Sequence, residues 1–139
     1  MSETGWYGPA IGALLLWGFW GFFPKLATAH LTPSHAIVYE TVAAALFGLV
    51  VAAFLGFKLE TAPLGILWSS LAGLTAVCGA LLYLRACSRG PLVPIAIVTG
   101  LYPIVTIVLG SIFLGEPLSL RRIAALALAV AAIILVVRE

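Results

Sequence analysis

The sequence predicts an all-α membrane protein with five transmembrane helices. Of its 139 residues, 63% are hydrophobic and 9% are charged, and the mean hydropathy is +1.21. Soluble domains average about 45–50% apolar and about 25% charged residues, so this chain has too few polar side chains to cover a surface in water. Each crossing takes roughly 20 residues. The length therefore allows five crossings with short loops, in one membrane domain over residues 1–139.

The first three apolar runs are separated by short polar segments that contain proline. They predict helices over about residues 6–29, 34–55 and 64–86. Thr32-Pro33-Ser34 precedes the second helix, and a proline at the first turn of a helix lacks only an N–H that has no partner there. Residues 56–63 are the most polar stretch between these runs and are bounded by glycine and proline, which predicts a short loop.

The last two apolar runs predict helices over about residues 92–114 and 120–137. Arg89-Gly90-Pro91 predicts a tight turn before the fourth helix, and Gly115-Glu116-Pro117 predicts another before the fifth. The uncharged part of the fifth helix is roughly 22 Å long, which is short for a hydrocarbon core of about 30 Å, so we expect its flanking arginines to reach the membrane surfaces.

Prolines and a glycine are expected to interrupt two of these helices. Pro24 lies near the end of the first helix, and Pro94, Gly100 and Pro103 lie in the fourth. A break inside a membrane frees backbone carbonyls, which can line a pathway or allow a hinge. A kink that serves only helix packing remains an equal alternative.

Small residues at four-residue spacing predict close helix contacts near the C-terminus. Ser111 and Gly115 form one such pair, and Ala125 and Ala129 form another. Helices in lipid associate through close backbone approach, so both pairs are predicted contacts of a homodimer. Packing within one subunit explains the same spacing equally well.

The positive charges give almost no preference for one orientation in the membrane. If the helices alternate, three Lys or Arg residues fall on one side and four on the other. The first side holds Lys58, Arg121 and Arg122, and the second holds Lys25, Arg85, Arg89 and Arg138. Because orientation follows this asymmetry, the sequence permits insertion in both directions and an antiparallel, inverted-repeat homodimer. A single orientation, with a parallel dimer or an unlike partner, stays open.

Three segments resemble a known family. Residues 16–25 read Leu-Trp-Gly-Phe-Trp-Gly-Phe-Phe-Pro-Lys, Tyr102-Pro103 lies in the fourth helix, and residues 113–119 read Phe-Leu-Gly-Glu-Pro-Leu-Ser. Together they resemble an EamA-type member of the drug/metabolite transporter superfamily with a single five-helix repeat. The resemblance implies export or uptake of small molecules by alternating access, commonly in ten-helix proteins built from two inverted repeats. Glu40 departs from the family, since many relatives have arginine there.

Glu40 is the one acidic residue well inside a predicted helix. An ionised carboxylate at that depth is costly, so it should face a wet cavity, pair with a cation or be protonated. We hypothesise that Glu40 couples proton movement to substrate movement or receives a cationic substrate directly. The alternative is a structural ion pair, for instance with Lys25. Lys25 in turn is either a contact for an anionic substrate or an anchor that reaches the lipid headgroups.

Five aromatic residues at or near mid-helix are further pathway candidates: Trp17, Trp20, Tyr39, Tyr83 and Tyr102. Aromatic walls suit amphipathic or cationic ligands. Aromatic residues also form belts at membrane interfaces.

No nucleophile–base pair, phosphate loop, metal cluster or cofactor motif is present in the sequence, so we expect neither an enzyme nor a cofactor. The scattered basic residues argue against nucleic acid as a partner. The expected partners are the lipid bilayer, a small-molecule substrate and a second copy of the chain, in a bacterial or archaeal inner (plasma) membrane. The predicted function is secondary transport of small metabolites or drug-like solutes, and the alternative is a lipid-linked-molecule flippase subunit or a non-transporting assembly subunit.

Overall fold

The computed structural model describes residues 5–117 and 119–137, except for the side chains of residues 122, 132, 133, 136 and 137. This part of the chain is helical and contains no strand. The helices in chain order are α1 (Tyr7–Ala27), α2 (Pro33–Phe54), α3 (Pro63–Cys87), α4 (Leu92–Thr99), α5 (Tyr102–Leu114) and α6 (Leu120–Val137).

The all-helical membrane architecture is confirmed. Within the described residues, four stretches are long and apolar enough to cross a membrane, namely α1, α2, α3 and the α4–α5 stretch Leu92–Leu114. The fifth predicted crossing is α6, whose 18 residues extend for about 27 Å. The ends of these five segments lie within two residues of the predicted ends. Arg138, expected to anchor α6, lies outside the described residues.

Proline and glycine set the helix ends as local chemistry requires. α2 and α3 each begin at a proline, Pro33 and Pro63. The turn after α2 places Gly56 at φ +61° and Phe57 at φ +58°, a left-handed conformation that is unusual for a bulky residue. α5 ends at Gly115 with φ +67°, a conformation that glycine adopts without steric cost.

The first compact unit covers residues up to Gly90 and contains α1, α2 and α3. α3 packs against both other helices. The buried apolar residues of this unit are Pro24, Ala36, Ala80, Tyr83, Leu84 and Cys87. Four of them lie between Ala80 and Cys87, at the end of α3. The tight packing of this unit is therefore where the end of α3 meets its neighbours. Elsewhere the large apolar side chains point outward, as expected for helices that face lipid.

The second compact unit begins at Pro91 and contains α4, α5 and α6. The fourth predicted helix is interrupted between Thr99 and Tyr102, so Gly100 marks a real break and Pro103 lies at the second position of α5. Here Gly100 approaches the chain closely, because a Cβ atom at this position would lie 2.9 Å from the Ala96 carbonyl oxygen.

The helices are not interrupted at the other two positions, and a hinge or kink there stays a prediction. α1 continues through Pro24 to Ala27, and Pro94 lies in the first turn of α4. At the first turn the amide N–H has no intrahelical partner, so a proline there removes no hydrogen bond. Pro24 is buried, and its own carbonyl accepts from both the amide and the hydroxyl of Thr28, which stabilises the last turn of α1.

Two small residues of α6 face a cavity within the second unit. Ala125 and Ala129 line a cavity of about 290 Å³ opposite Gly100, Pro103 and Ile107. This placement favours packing within one subunit for the alanine pair. In α5, Ser111 is half-buried, and Gly115 at its end is exposed. Their role in a dimer contact stays a prediction.

We predict that Gly100→Ala destabilises the protein by about 1–3 kcal/mol, because the added methyl group would press on a backbone carbonyl that cannot rotate away. Gly73→Ala in α3 is the matched control, since nothing lies within 4 Å of a Cβ atom there. The measurement is the temperature at which the detergent-solubilised protein loses its monodisperse size-exclusion peak. Equal midpoints for the two variants would contradict the close approach at Gly100.

Candidate functional site

A groove of about 360 Å³ lies between α1, α2 and the end of α3 in the first unit. We call it the α1–α2 groove. Its residues are Trp20, Phe23, Pro24, Ala27, Leu31, Ala36, Tyr39, Glu40 and Leu84. The α1 members recur every three or four residues and therefore share one helical face. The lining combines aromatic and aliphatic side chains with a single carboxylate.

Glu40 is half-buried in this groove and is held by an indole. The Nε1–H of Trp20 donates to Oε1 of Glu40 at 2.7 Å. A hydrogen bond to an ionised acceptor is stronger than a neutral one, so this contact both positions the carboxylate and links α2 to α1. The carboxylate has further lone pairs, because two oxygens together accept about four hydrogen bonds.

Trp20 is itself supported by α3. Its ring stacks against the ring of Tyr83, with centroids 5.3 Å apart and planes inclined by 27°. The Tyr83 hydroxyl donates to the Gly21 carbonyl at 2.7 Å, and a Cβ atom on Gly21 would lie 3.5 Å from that hydroxyl. Glu40 thus contacts Trp20, Trp20 contacts Tyr83, and Tyr83 contacts the backbone of α1.

Lys25 binds the end of α3 and not Glu40. Its Nζ donates to the carbonyl oxygens of Cys87 and Gly90, each at 2.8 Å. The Cys87 carbonyl is at the end of α3, where carbonyls have no intrahelical partner and carry partial negative charge, and the Gly90 carbonyl belongs to the turn that follows. The ammonium group supplies both a hydrogen-bond donor and a positive charge. The ion pair with Glu40 that the sequence left open is therefore replaced by a contact with backbone carbonyls.

Two hydrogen-bonded contacts, spaced one helical turn apart, connect α1 to α3. Gly21 and Lys25 are four residues apart on α1, and their partners Tyr83 and Cys87 are four residues apart on α3. Residues at this spacing lie on the same face of a helix. The two contacts therefore fix both the distance and the rotation between α1 and α3.

Comparison with known proteins agrees with this architecture. A model of the EamA-like transporter family matches residues 5–138. The chain belongs to the EamA-like transporter family. Members of this family are membrane transporters of small solutes, and the match covers every helix described above. No curated protein and no solved structure matches the chain.

The structure brings together some of the predicted pathway residues of this EamA-like chain and not others. Trp20, Tyr39 and Glu40 line the α1–α2 groove, and Tyr83 stacks against Trp20 without lining the groove itself. Trp17 lies one turn before Trp20 on α1 and is not part of the lining. Tyr102 begins α5 in the second unit.

The sequence pattern did not predict the apolar part of the lining, which consists of Phe23, Ala27, Leu31, Ala36 and Leu84. The α1 positions could have been found by extending the spacing of three and four residues onward from Trp20. No local pattern marked Leu84, since its place depends on how α3 crosses the other helices. Among the described residues, no group of three or more His, Cys, Asp or Glu side chains is placed to hold a metal ion.

We predict that Lys25→Met destabilises the protein by about 1.5–3 kcal/mol, the range for a hydrogen bond to a charged group, since methionine keeps the apolar stem but cannot donate. Lys58→Met, in the loop after α2, is the matched control and should have a much smaller effect. Thermal unfolding in detergent compares them. If both variants lose the same stability, Lys25 acts only as a surface anchor.

Proposed function

We propose that this EamA-like chain is a secondary transporter that moves small metabolites or drug-like solutes by alternating access, with Glu40 coupling solute movement to proton movement. The observation that carries the proposal is the half-buried carboxylate of Glu40, hydrogen-bonded to Trp20 inside an apolar groove of a membrane-spanning unit. Ionisable groups at such positions are costly and are usually retained for function.

The position of Glu40 suits a group that exchanges a proton. It is the eighth residue of α2, roughly 10 Å along the helix axis from its first residue. The ionised carboxylate accepts a strong hydrogen bond from the indole of Trp20, whereas the protonated group accepts a weaker one. Protonation would therefore loosen the contact between α1 and α2, which links the charge of the site to the packing of the two helices.

The hydrogen bonds of α1 to its two neighbours differ in kind. Those between α1 and α3 are accepted by the backbone carbonyls of Gly21 and Cys87, whereas the hydrogen bond from Trp20 to Glu40 joins α1 to α2 through a titratable group. A change in the charge of Glu40 would therefore act on the contact between α1 and α2, while α2 remains packed against α3. In the second unit, the interruption at Gly100 divides a membrane span into two shorter rods, a feature that transporters use at gates and binding sites.

We further propose that a second copy of the chain completes the pathway as a homodimer. The α1–α2 groove is open, and the five crossings offer one half of the inverted-repeat pair that many secondary transporters use. The near balance of three against four basic residues permits the second copy to insert in the opposite direction. The antiparallel homodimer is the arrangement that combines both features.

We predict that Glu40→Gln abolishes proton-coupled solute flux, since the amide has the shape of the carboxylic acid but cannot take up or release a proton. Glu60→Gln, in the loop after α2, is the control and should keep wild-type flux. The assay follows internal pH in proteoliposomes during solute addition, with protein-free liposomes as the baseline. Normal proton-coupled flux in Glu40→Gln would refute the coupling role.

We predict that the loop after α2 and the turn after α3 are each accessible from both sides of the membrane. Glu60→Cys and Ser88→Cys provide the sites without removing a basic residue, in a Cys78→Ala background that keeps the fully buried Cys87. Labelling of intact cells with a membrane-impermeant thiol reagent should reach about half of each population, as expected for two opposite orientations. Complete labelling of one site and none of the other would contradict the antiparallel dimer.

A further inference from the structure

The chemistry of the α1–α2 groove selects one charge class of solute. We propose that the groove binds small hydrophobic organic monocations, such as amines or quaternary ammonium ions that carry one apolar group, with the positive charge at Glu40 and the apolar group against Trp20, Phe23 and Tyr39. The inference rests on the proposed transport function, because it names the class of solute for the same groove.

The charge of the lining is the first argument. Of the nine residues that line the groove, all of which the structure describes, Glu40 alone carries a charge. The nearest basic residue along α1 is Lys25, but its Nζ is held by the carbonyl oxygens of Cys87 and Gly90. Among the described residues, the hydrogen-bond partner of the carboxylate is a neutral N–H donor, the indole of Trp20. A site with this balance attracts a cation and repels an anion.

The aromatic side chains give the second argument. Trp20, Phe23 and Tyr39 line the same groove as the carboxylate, and the ring of each has a negative π face. A cation over such a face gains about 0.5–1 kcal/mol where the site is exposed and about 2 kcal/mol where it is desolvated. The same rings stack on the apolar part of the solute. The carboxylate and the rings therefore favour one ligand that has both a charge and an apolar group.

The restriction to a single charge follows from the dielectric environment. In an apolar groove one carboxylate neutralises one positive charge, and a second positive charge would remain unpaired at a large desolvation cost. Zwitterions would bring a carboxylate of their own into a site that offers it no positive partner. The volume of about 360 Å³ lies at the lower end of small-molecule sites, which favours a small solute.

The test compares three probes that share a benzyl group and differ in charge: benzyltrimethylammonium, benzyl alcohol and phenylacetate. Equilibrium dialysis against the detergent-purified full chain measures binding, with protein-free detergent micelles as the baseline. We expect benzyltrimethylammonium to bind at least about tenfold more tightly than the neutral probe, and phenylacetate to show no binding above the baseline. Equal or tighter binding of the neutral or anionic probe would overturn the inference.

Variants place the binding in the groove. Glu40→Gln should weaken benzyltrimethylammonium binding about tenfold or more, and Trp20→Phe, which keeps a ring but loses the N–H donor, should weaken it less. Glu60→Gln and Trp68→Phe are the matched controls and should bind as the wild-type chain does. Wild-type affinity in Glu40→Gln would show that the cation binds elsewhere. If Glu40→Gln loses its monodisperse size-exclusion peak, protection of wild-type Glu40 from carbodiimide modification by benzyltrimethylammonium, but not by benzyl alcohol, decides the same point.

Failure of the cation-binding proposal and failure of the transport proposal give different results in these experiments. Selective cation binding without solute flux in proteoliposomes would refute the transport proposal and leave the charge selectivity intact. Solute-driven proton flux with benzyl alcohol or phenylacetate, but not with benzyltrimethylammonium, would support transport and overturn the solute class.

Discussion

The constraint on which this structure depends is the need to satisfy polar groups without water. In hydrocarbon each backbone N–H and C=O must find a partner within the protein, and helices achieve this within one segment. The threonines inside the spans follow the same rule, since Thr41, Thr75 and Thr99 each donate their hydroxyl to a carbonyl of the preceding turn. Polar side chains in the described part of the chain thus bind mainly to backbone, and a contact that departs from this pattern is informative.

The contact between Trp20 and Glu40 is such a departure, because it joins two side chains across two helices and one of them is an acid. Its surroundings are built from backbone contacts: the Tyr83 hydroxyl and the Lys25 ammonium each bind carbonyl oxygens, and together they hold α1 against α3. α1, held against α3, therefore presents an indole to a carboxylate on α2. The one acidic side chain that lines the groove takes part in the hydrogen bond that joins α1 to α2.

Membership of the EamA-like transporter family and the geometry of the first unit explain different aspects of the protein. The family match over residues 5–138 accounts for the membrane-spanning helices and for solute transport as the general activity. Glu40 carries the only charge among the residues that line the α1–α2 groove, all of which the structure describes. The solute class proposed for the groove therefore comes from the residues of this chain and not from its family.

The sequence by itself determined the positions and ends of the helices, because these depend on the length of apolar runs and on prolines at first turns such as Pro33 and Pro63. It also predicted the interruption at Gly100. At Pro24 and Pro94 the helices continue, and Pro94 lies in a first turn, where a proline removes no hydrogen bond. Only the tertiary structure decided the partners of Lys25 and Glu40. Lys25 binds a carbonyl 62 residues away, and no local pattern encodes where α3 ends relative to α1. Long-range pairing depends on how helices cross, which composition and periodicity do not specify.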